Sequence, residues 1–407
     1  MKKSDLSESR QKSLFPVNGH SGCFAVVPPA TPRMIKLNGH HNELIHAHEA
    51  LSALKTLSEQ LPNPDIILRT LDRREAVRSS QIEGTSSDVN DLLIYEATGS
   101  DEGLPSDVLV TLNYVKALNY GLKQVRSINN VNALTNELIL GLHAHLMSDV
   151  KNFNGIAGEF RKKQNWIGGL KIQNAKFVPP PASYISDCMN DLESFLQYSS
   201  EEEQFEISIV LRMAIAHAQF ETIHPFIDGN GRVGRLILPL MLAAEDYPPI
   251  YLAGFLKTNQ KIYCETLGNV QLQEQWDDWI TFFAVGVKES SEESIIMAKE
   301  LLAILKRWQE AVDDLGLRSD SAINRLPEIL VGNPVVTVNQ VKKMLGVSFP
   351  SANLALNKLK DMGIVTQSDR QRNRVFIATE LINILDRTIE DLEDSKIVVE
   401  DESSIRL

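Results

Sequence analysis

The sequence predicts a mainly α-helical protein with one short β-hairpin and a C-terminal winged helix-turn-helix. Three observations carry this reading. Apolar residues recur at helical spacing over most of the chain, most plainly from about 41 to 98, where Leu44, Ala47, Leu51, Leu54 and Leu57 mark one face. One segment, Arg161 to Pro181, interrupts that pattern with two short apolar runs around Gly168-Gly169 and a proline-rich exit. After residue 338 a helix, a turn and a second helix are followed by a strand-like run.

In chain order, residues 1–32 read as a flexible lead-in that ends in Pro28-Pro29 and Pro32. Residues 33–104 form an N-terminal helical region. Within it, Asn63-Pro64-Asp65 starts a helix, Gly84 stops it in a left-handed cap, and Ile67, Leu71 and Ile82 are the residues expected to be buried. Residues 105–288 are a helical core around the hairpin, in which a helix over Ile207–Phe220 leads into His224 and Trp276 to Val287 is a buried packing helix. A polar-faced connecting helix occupies 289–319.

Residues 320–385 make the winged helix-turn-helix. Val338 to Gly346 is its first helix and turn, and Ser348-Phe349-Pro350 opens the second with a cap and an early proline. Ile364 to Ile377, with Arg370, Arg372 and Arg374 at its turn, is the wing. The eight Lys/Arg against five Asp/Glu in 320–380 give only a weak basic bias, so DNA and protein both remain open as partners. The tail, 386–407, holds eight acids and three bases, would repel nucleic acid, and is expected to be partly disordered.

Composition sets limits. With 407 residues, 43% apolar and 23% charged, the chain can build two or three domains with real cores. No apolar run approaches a membrane span, and the basic start MKKSDLSESRQ lacks the apolar block of a signal peptide, so cytoplasm is the expected compartment. Cys23, Cys188 and Cys264 are odd in number and scattered, which spells neither a disulfide framework nor a zinc site.

The chemistry concentrates in His224-Pro225-Phe226-Ile227-Asp228-Gly229-Asn230-Gly231-Arg232-Val233-Gly234-Arg235. His224 offers an imidazole that can take a proton from a hydroxyl and so act as a general base. Asp228 can tether a Mg²⁺, which is commonly held by one or two carboxylates plus phosphate oxygens. Gly229, Asn230 and Gly231 suit an anion-binding turn at the start of a helix that becomes apolar from Arg232 onward. Arg232 and Arg235, three apart, share a face from which both can fork onto phosphate. A Walker loop is excluded, because no Lys-Ser or Lys-Thr follows the glycines. Alone, a histidine is usually structural and Gly-Asn-Gly is a common turn; the joint pattern is what carries information.

That pattern resembles the Fic (Fido) family motif, His-Pro-Phe-x-Asp/Glu-Gly-Asn-Gly-Arg-x-x-Arg, at every fixed position. The resemblance implies a helical Fic core that transfers AMP from ATP to a protein Ser, Thr or Tyr hydroxyl and releases pyrophosphate. It implies His224 as catalytic base, Asp228 as holder of Mg²⁺, and residues Gly229 to Arg235, Val233 and Gly234 included, as the nucleotide phosphate site. Upstream, Ser79-Ser80-Gln81-Ile82-Glu83-Gly84 is similar to the family's inhibitory motif, with Ser79, Glu83 and Gly84 in the fixed places. By that likeness Glu83 pairs with Arg235 and occupies the γ-phosphate space; on its own a Glu in a last helical turn is an ordinary solvated residue.

The same resemblance makes the hairpin a flap, with Ile167 and Gly168 against the nucleotide and an open edge for a target strand. It makes Asn259 to Leu267 the adenine-side helix. Where the family carries two adjacent tyrosines, this chain has Tyr263 and then Cys264, which removes one stacking option at the base. The implied partners are ATP, Mg²⁺ and a protein target, a second copy of the chain included, and a homodimer is compatible with that; no membrane is implied. The alternatives are a nucleotide-sensing or docking regulator, or a Fic enzyme of different transfer: AMP removal, phosphate transfer or another nucleotide.

Overall fold

Helix formation follows the caps. The computed structural model describes residues 1–39, 41–61, 63–151, 153–199, 206–318, 320–368 and 374–387. In chain order it contains α1 (Glu8–Lys12), β1 (Leu14–Pro16), β2 (Phe24–Val26), α2 (His41–Gln60), α3 (Pro64–Ile82), α4 (Val89–Thr98), α5 (Val108–Ile128), α6 (Asn136–Leu146), α7 (Ile185–Leu196), α8 (Ile209–Ile223), α9 (Asn230–Ala243), α10 (Ala253–Thr258), α11 (Gln260–Gln273) and α12 (Asp277–Asp313). After these come α13 (Leu326–Gly332), β3 (Val335–Thr337), α14 (Val338–Leu345), α15 (Phe349–Asp361), β4 (Thr366–Gln367), β5 (Val375–Ile377) and α16 (Thr379–Asp386).

The chain divides into two compact units. One comprises Met1–Thr56 and Asn113–Ser291, the other Leu57–Leu112 and Glu292–Leu407. This differs from the linear domain order that composition suggests. Residues 57–112, which span the end of the expected N-terminal helical region (33–104) and the start of the expected core (105–288), share a unit with the residues from Glu292 onward. The helices expected at 276–287 and 289–319 are one continuous helix, α12, because no Gly cap or Pro separates their apolar patterns.

In the first unit α8 and α9 are buried on nearly every side and pack against each other, with α7 and α11 against α8 and α6 against α9. Ser208 caps α8 by accepting from the Leu211 N–H. Residues 1–32, expected to be loose, are built into this unit. β1 and β2 pair antiparallel, and Val17 and Ala25 pack with Ile172, Ala175 and Val178, burying apolar surface that would otherwise face water. The Val26 N–H donates to the Val178 carbonyl at 2.9 Å.

In the second unit α3 starts with Pro64 in its first turn and ends at Ile82, with Glu83 as C-cap and Gly84 at φ 93°. Ile67 and Leu71 are buried as expected, whereas Ile82 is only half-buried. α3 packs on α13, α4 and α16, and the Thr70 hydroxyl donates to the Val331 carbonyl at 2.6 Å. Arg74 of α3 is buried and donates to Glu293 at 3.1 Å and to the Leu385 and Arg387 carbonyls at 3.1 Å each.

The expected turn after residue 338 lies at Gly346, φ 67°, between α14 and α15, and Ser348 caps α15. β3, β5 and β4 form an antiparallel sheet in that order, with Val336 opposite Phe376. Arg370 and Arg372 of the expected wing turn, and residues 388–407 of the tail, lie outside the described residues. No helix among the described residues is long and apolar enough to cross a membrane.

Candidate active site

The loop of residues 224–229 is the connection between the two most buried helices of its unit, so its shape is set by both. α8 ends because His224 takes a left-handed conformation, φ 48° and ψ 60°. A non-glycine residue held there costs on the order of 1 kcal/mol or more and persists only when its surroundings impose it. Here the surroundings do so. The His224 N–H donates to the Phe220 carbonyl at 2.8 Å, its carbonyl accepts from Arg161 Nε at 2.9 Å, and the Arg161 N–H donates to the Pro225 carbonyl at 2.8 Å. Arg161 is buried, and its remaining nitrogens donate to the carbonyls of Lys163 and Pro180, although burial lowers its pKa to about 10.

Phe226 is fully buried. Its N–H donates to Asn230 Oδ1, and its carbonyl accepts from Asn230 Nδ2 and from Asn165 Nδ2, each at 2.8 Å. The Asn230 side chain is therefore committed to closing the loop, so any contact of this residue with an anion falls to its backbone N–H. Gly229, at φ 81°, is the N-cap of α9, and Asn230 begins the helix. The anticipated turn over Gly229, Asn230 and Gly231 is thus shorter than expected: Gly231, Val233 and Gly234 are all inside α9, and only Gly229 takes a positive φ.

Asp228 stands at the mouth of α9 with its side chain 64% exposed, accepting from the Gly229 N–H at 2.6 Å and lying 3.9 Å from Arg232 Nη2. Arg232 and Arg235 are both buried in the first turns of α9, and Arg232 Nη2 contacts Met147 Sδ at 3.8 Å. The N-terminus of α9, the Arg232 guanidinium and the exposed Asp228 carboxylate thus meet at one place, with Arg235 buried a turn further along the helix.

Two residues that the sequence reading did not single out support this loop. His143 of α6 is fully buried and stacks on Phe226, with ring centroids 3.8 Å apart and planes 9° apart. Its Nδ1 accepts from the Gly158 N–H at 2.9 Å, so Nε2 carries the proton and donates to the Asp228 carbonyl at 3.2 Å. Burial pushes its pKa down to about 4. Glu221 of α8 is buried with Oε2 3.5 Å from His224 Nδ1. Burial raises its carboxyl pKa, but His224, His217 and Arg235 together outweigh that and leave the net shift downward. The signal for Glu221 was its position three before His224, one residue past the predicted helix end at Phe220; for His143, more than eighty residues from Phe226, no local signal exists.

The flap is slighter than a hairpin. Ile167 and Phe177 form a single antiparallel bridge, with Gly168 at φ 68° and Gly169 at φ 80° turning the chain. Tyr263 lies inside an aromatic cluster with His217, Trp279 and Phe282, and its hydroxyl bonds His217 Nε2 at 2.9 Å, whereas Cys264 is exposed. Ser79 is buried on α3, while Glu83 and Gly84 at its end are exposed.

Residues 41–123 match the family model for the Fic/DOC family N-terminal region, and residues 133–242 match that for the Fic/DOC family. The Protein adenylyltransferase Fic of Aedes aegypti is 32% identical over 142 residues, covering 34% of this chain and 26% of that protein. The Protein adenylyltransferase Fic of Drosophila virilis is 28% identical over 230 residues, covering 54% and 41%. The chain thus matches well under half the length of these curated relatives. A solved fragment of Fic-1 from C. elegans aligns with TM-score 0.50 at 19% identity, over 64% of this chain and 72% of that one, a likeness of fold.

Proposed function

This chain belongs to the Fic/DOC family, and from that premise we propose that it is a protein adenylyltransferase restrained by its own Glu83. The observation that carries the reading is the clamped loop between α8 and α9, which sets His224, Asp228 and the N-terminus of α9 beside one another. His224 accepts the proton of a target Ser, Thr or Tyr hydroxyl. The hydroxyl oxygen bonds to the α-phosphorus of ATP as the bond to pyrophosphate breaks. Arg232, Arg235 and the α9 N-terminus hold the phosphate charge that shifts onto the leaving group.

Among the described residues no group of three or more His, Cys, Asp or Glu could hold a metal alone. The exposed Asp228 carboxylate nevertheless fits a Mg²⁺ whose other ligands are phosphate oxygens and water. Such an ion supplies charge neutralisation at the phosphates. Glu83, an exposed C-cap of α3, is the inhibitory carboxylate by its motif position, and it competes with the γ-phosphate for Arg235. Residues 320–385 are a winged helix that docks protein. Met344, Phe349 and Leu354 are exposed on α14 and α15 alongside Lys342, Lys343 and Lys360, and that apolar surface is what favours a protein partner.

The test uses ATP labelled at the α- or the γ-phosphorus, with Mg²⁺, lysate, and the parent, Glu83→Gly, or Glu83→Gly with His224→Ala. Transfer of α-label only, strongest in Glu83→Gly and lost by a factor of about 10² or more without His224, is the expected result. Transfer of γ-label would make the reaction kinase-like. ATP binding with no labelling by any variant would replace the enzyme reading with that of a nucleotide sensor.

A further inference from the structure

The reaction as proposed leaves the buried carboxylate of Glu221 without a task. One turn of α8 puts it behind the base, with Oε2 3.5 Å from His224 Nδ1 and the two side chains 7% and 19% exposed. Neither Glu221 Oε1 nor His224 Nδ1 has a hydrogen-bond partner among the described residues. A carboxylate buried against His224, His217 and Arg235 carries a desolvation cost that packing alone does not explain, and such groups are found where charge is needed. The neighbouring helix is shaped around it. A Cβ added to Gly234 of α9 would sit 2.6 Å from Glu221 Oε1 and 3.1 Å from the Phe220 ring. Glycine at 234 therefore leaves room for this carboxylate, and any side chain would displace it.

We propose that Glu221 is the positioning carboxylate of the base: it takes the Nδ1–H of His224, fixes that tautomer, and leaves Nε2 bare for the proton of the incoming hydroxyl. This rests on the transfer reading above. The hydroxyl proton moves to Nε2, Glu221 stays ionised and faces the imidazolium, and the proton then leaves to solvent. The 3.5 Å separation shortens when the site is occupied, as unliganded catalytic pairs commonly do. Glu221 never meets the reacting atoms; it acts through His224.

The decisive measurement is the ¹⁵N spectrum of the full chain labelled at its histidine rings, with His224 assigned from the His224→Gln variant. In the parent, His224 is expected as the Nδ1–H tautomer. In Glu221→Gln the amide donates to Nδ1 and the proton moves to Nε2. In the Glu83→Gly background, Glu221→Gln should lower kcat for α-label transfer by about 10² or more, with KM for ATP changed less than about twofold. Gly234→Ala should cost a similar factor alone and add little to Glu221→Ala, because the methyl meets the carboxylate first and the Phe220 ring and His217 only at 3.1 and 3.3 Å. It also serves as the second variant should Glu221→Gln fold poorly. A parent His224 protonated at Nε2, or Glu221→Gln keeping transfer within about threefold of the parent, overturns the proposal. A tautomer switch between parent and Glu221→Gln with no transfer by any variant would uphold the pair and remove the transfer reading instead.

Discussion

Asn230 decides whether the loop carrying the base keeps its shape, since one buried amide satisfies both the N–H and the carbonyl of Phe226. Asn230→Ala leaves a buried donor unmet and weakens the carbonyl's bonding, at about 1–3 kcal/mol per unsatisfied group. The expected outcome is a lower melting temperature together with loss of α-label transfer, measured by thermal denaturation and the labelling assay. A fully stable variant with intact transfer would show that Asn165 and Arg161 hold the loop without it. The same scale explains why a histidine tolerates left-handed backbone at 224: two backbone hydrogen bonds and one from the Arg161 guanidinium converge on residues 224 and 225.

At the level of elements, α3 is held in its unit by Arg74, which reaches Glu293 in α12 and two carbonyls at and just beyond the end of α16. Arg74→Ala leaves Glu293 buried beside a cavity, and breaking such a pair costs about 3–5 kcal/mol. The variant should melt earlier and exchange its α3 amides faster. If Glu83 at the end of α3 restrains transfer, the basal α-label signal should also rise toward that of Glu83→Gly. Faster exchange in α3 with unchanged transfer would separate the stability of the helix from its inhibitory role.

At the level of the whole molecule, two buried histidines link folding to pH. Burial lowers the pKa of His143 from an ordinary 6.5 to about 4, and that of fully buried His217 also falls. Below pH 6.5 the unfolded chain takes up protons that the folded chain refuses, so stability falls as pH drops. For His143 the loss develops between pH 6.5 and about 4 and amounts to roughly 3 kcal/mol. Urea midpoints measured without Mg²⁺ from pH 7 to pH 4.5 should decline, and His143→Gln should flatten the slope. An identical slope in that variant would assign the acid sensitivity elsewhere.

The sequence alone determined what depends on neighbours in the chain. The start of α3 at Pro64, its stop before Gly84, the cap of α15 at Ser348 and the bend at Gly229 are written in local backbone preferences, which a few residues suffice to set. The family motif was legible for the same reason, twelve consecutive residues. Only the tertiary structure decided which polar groups lie buried and what they face. Asn230 closes the loop, His143 stacks on Phe226 from another helix, and residues 1–32 fold onto the hairpin instead of trailing from it. It also decided that residues 57–112 keep company with the described residues from Glu292 to Arg387. Local preference reaches one or two turns along a chain, whereas burial joins surfaces by shape and polarity regardless of how many residues separate them.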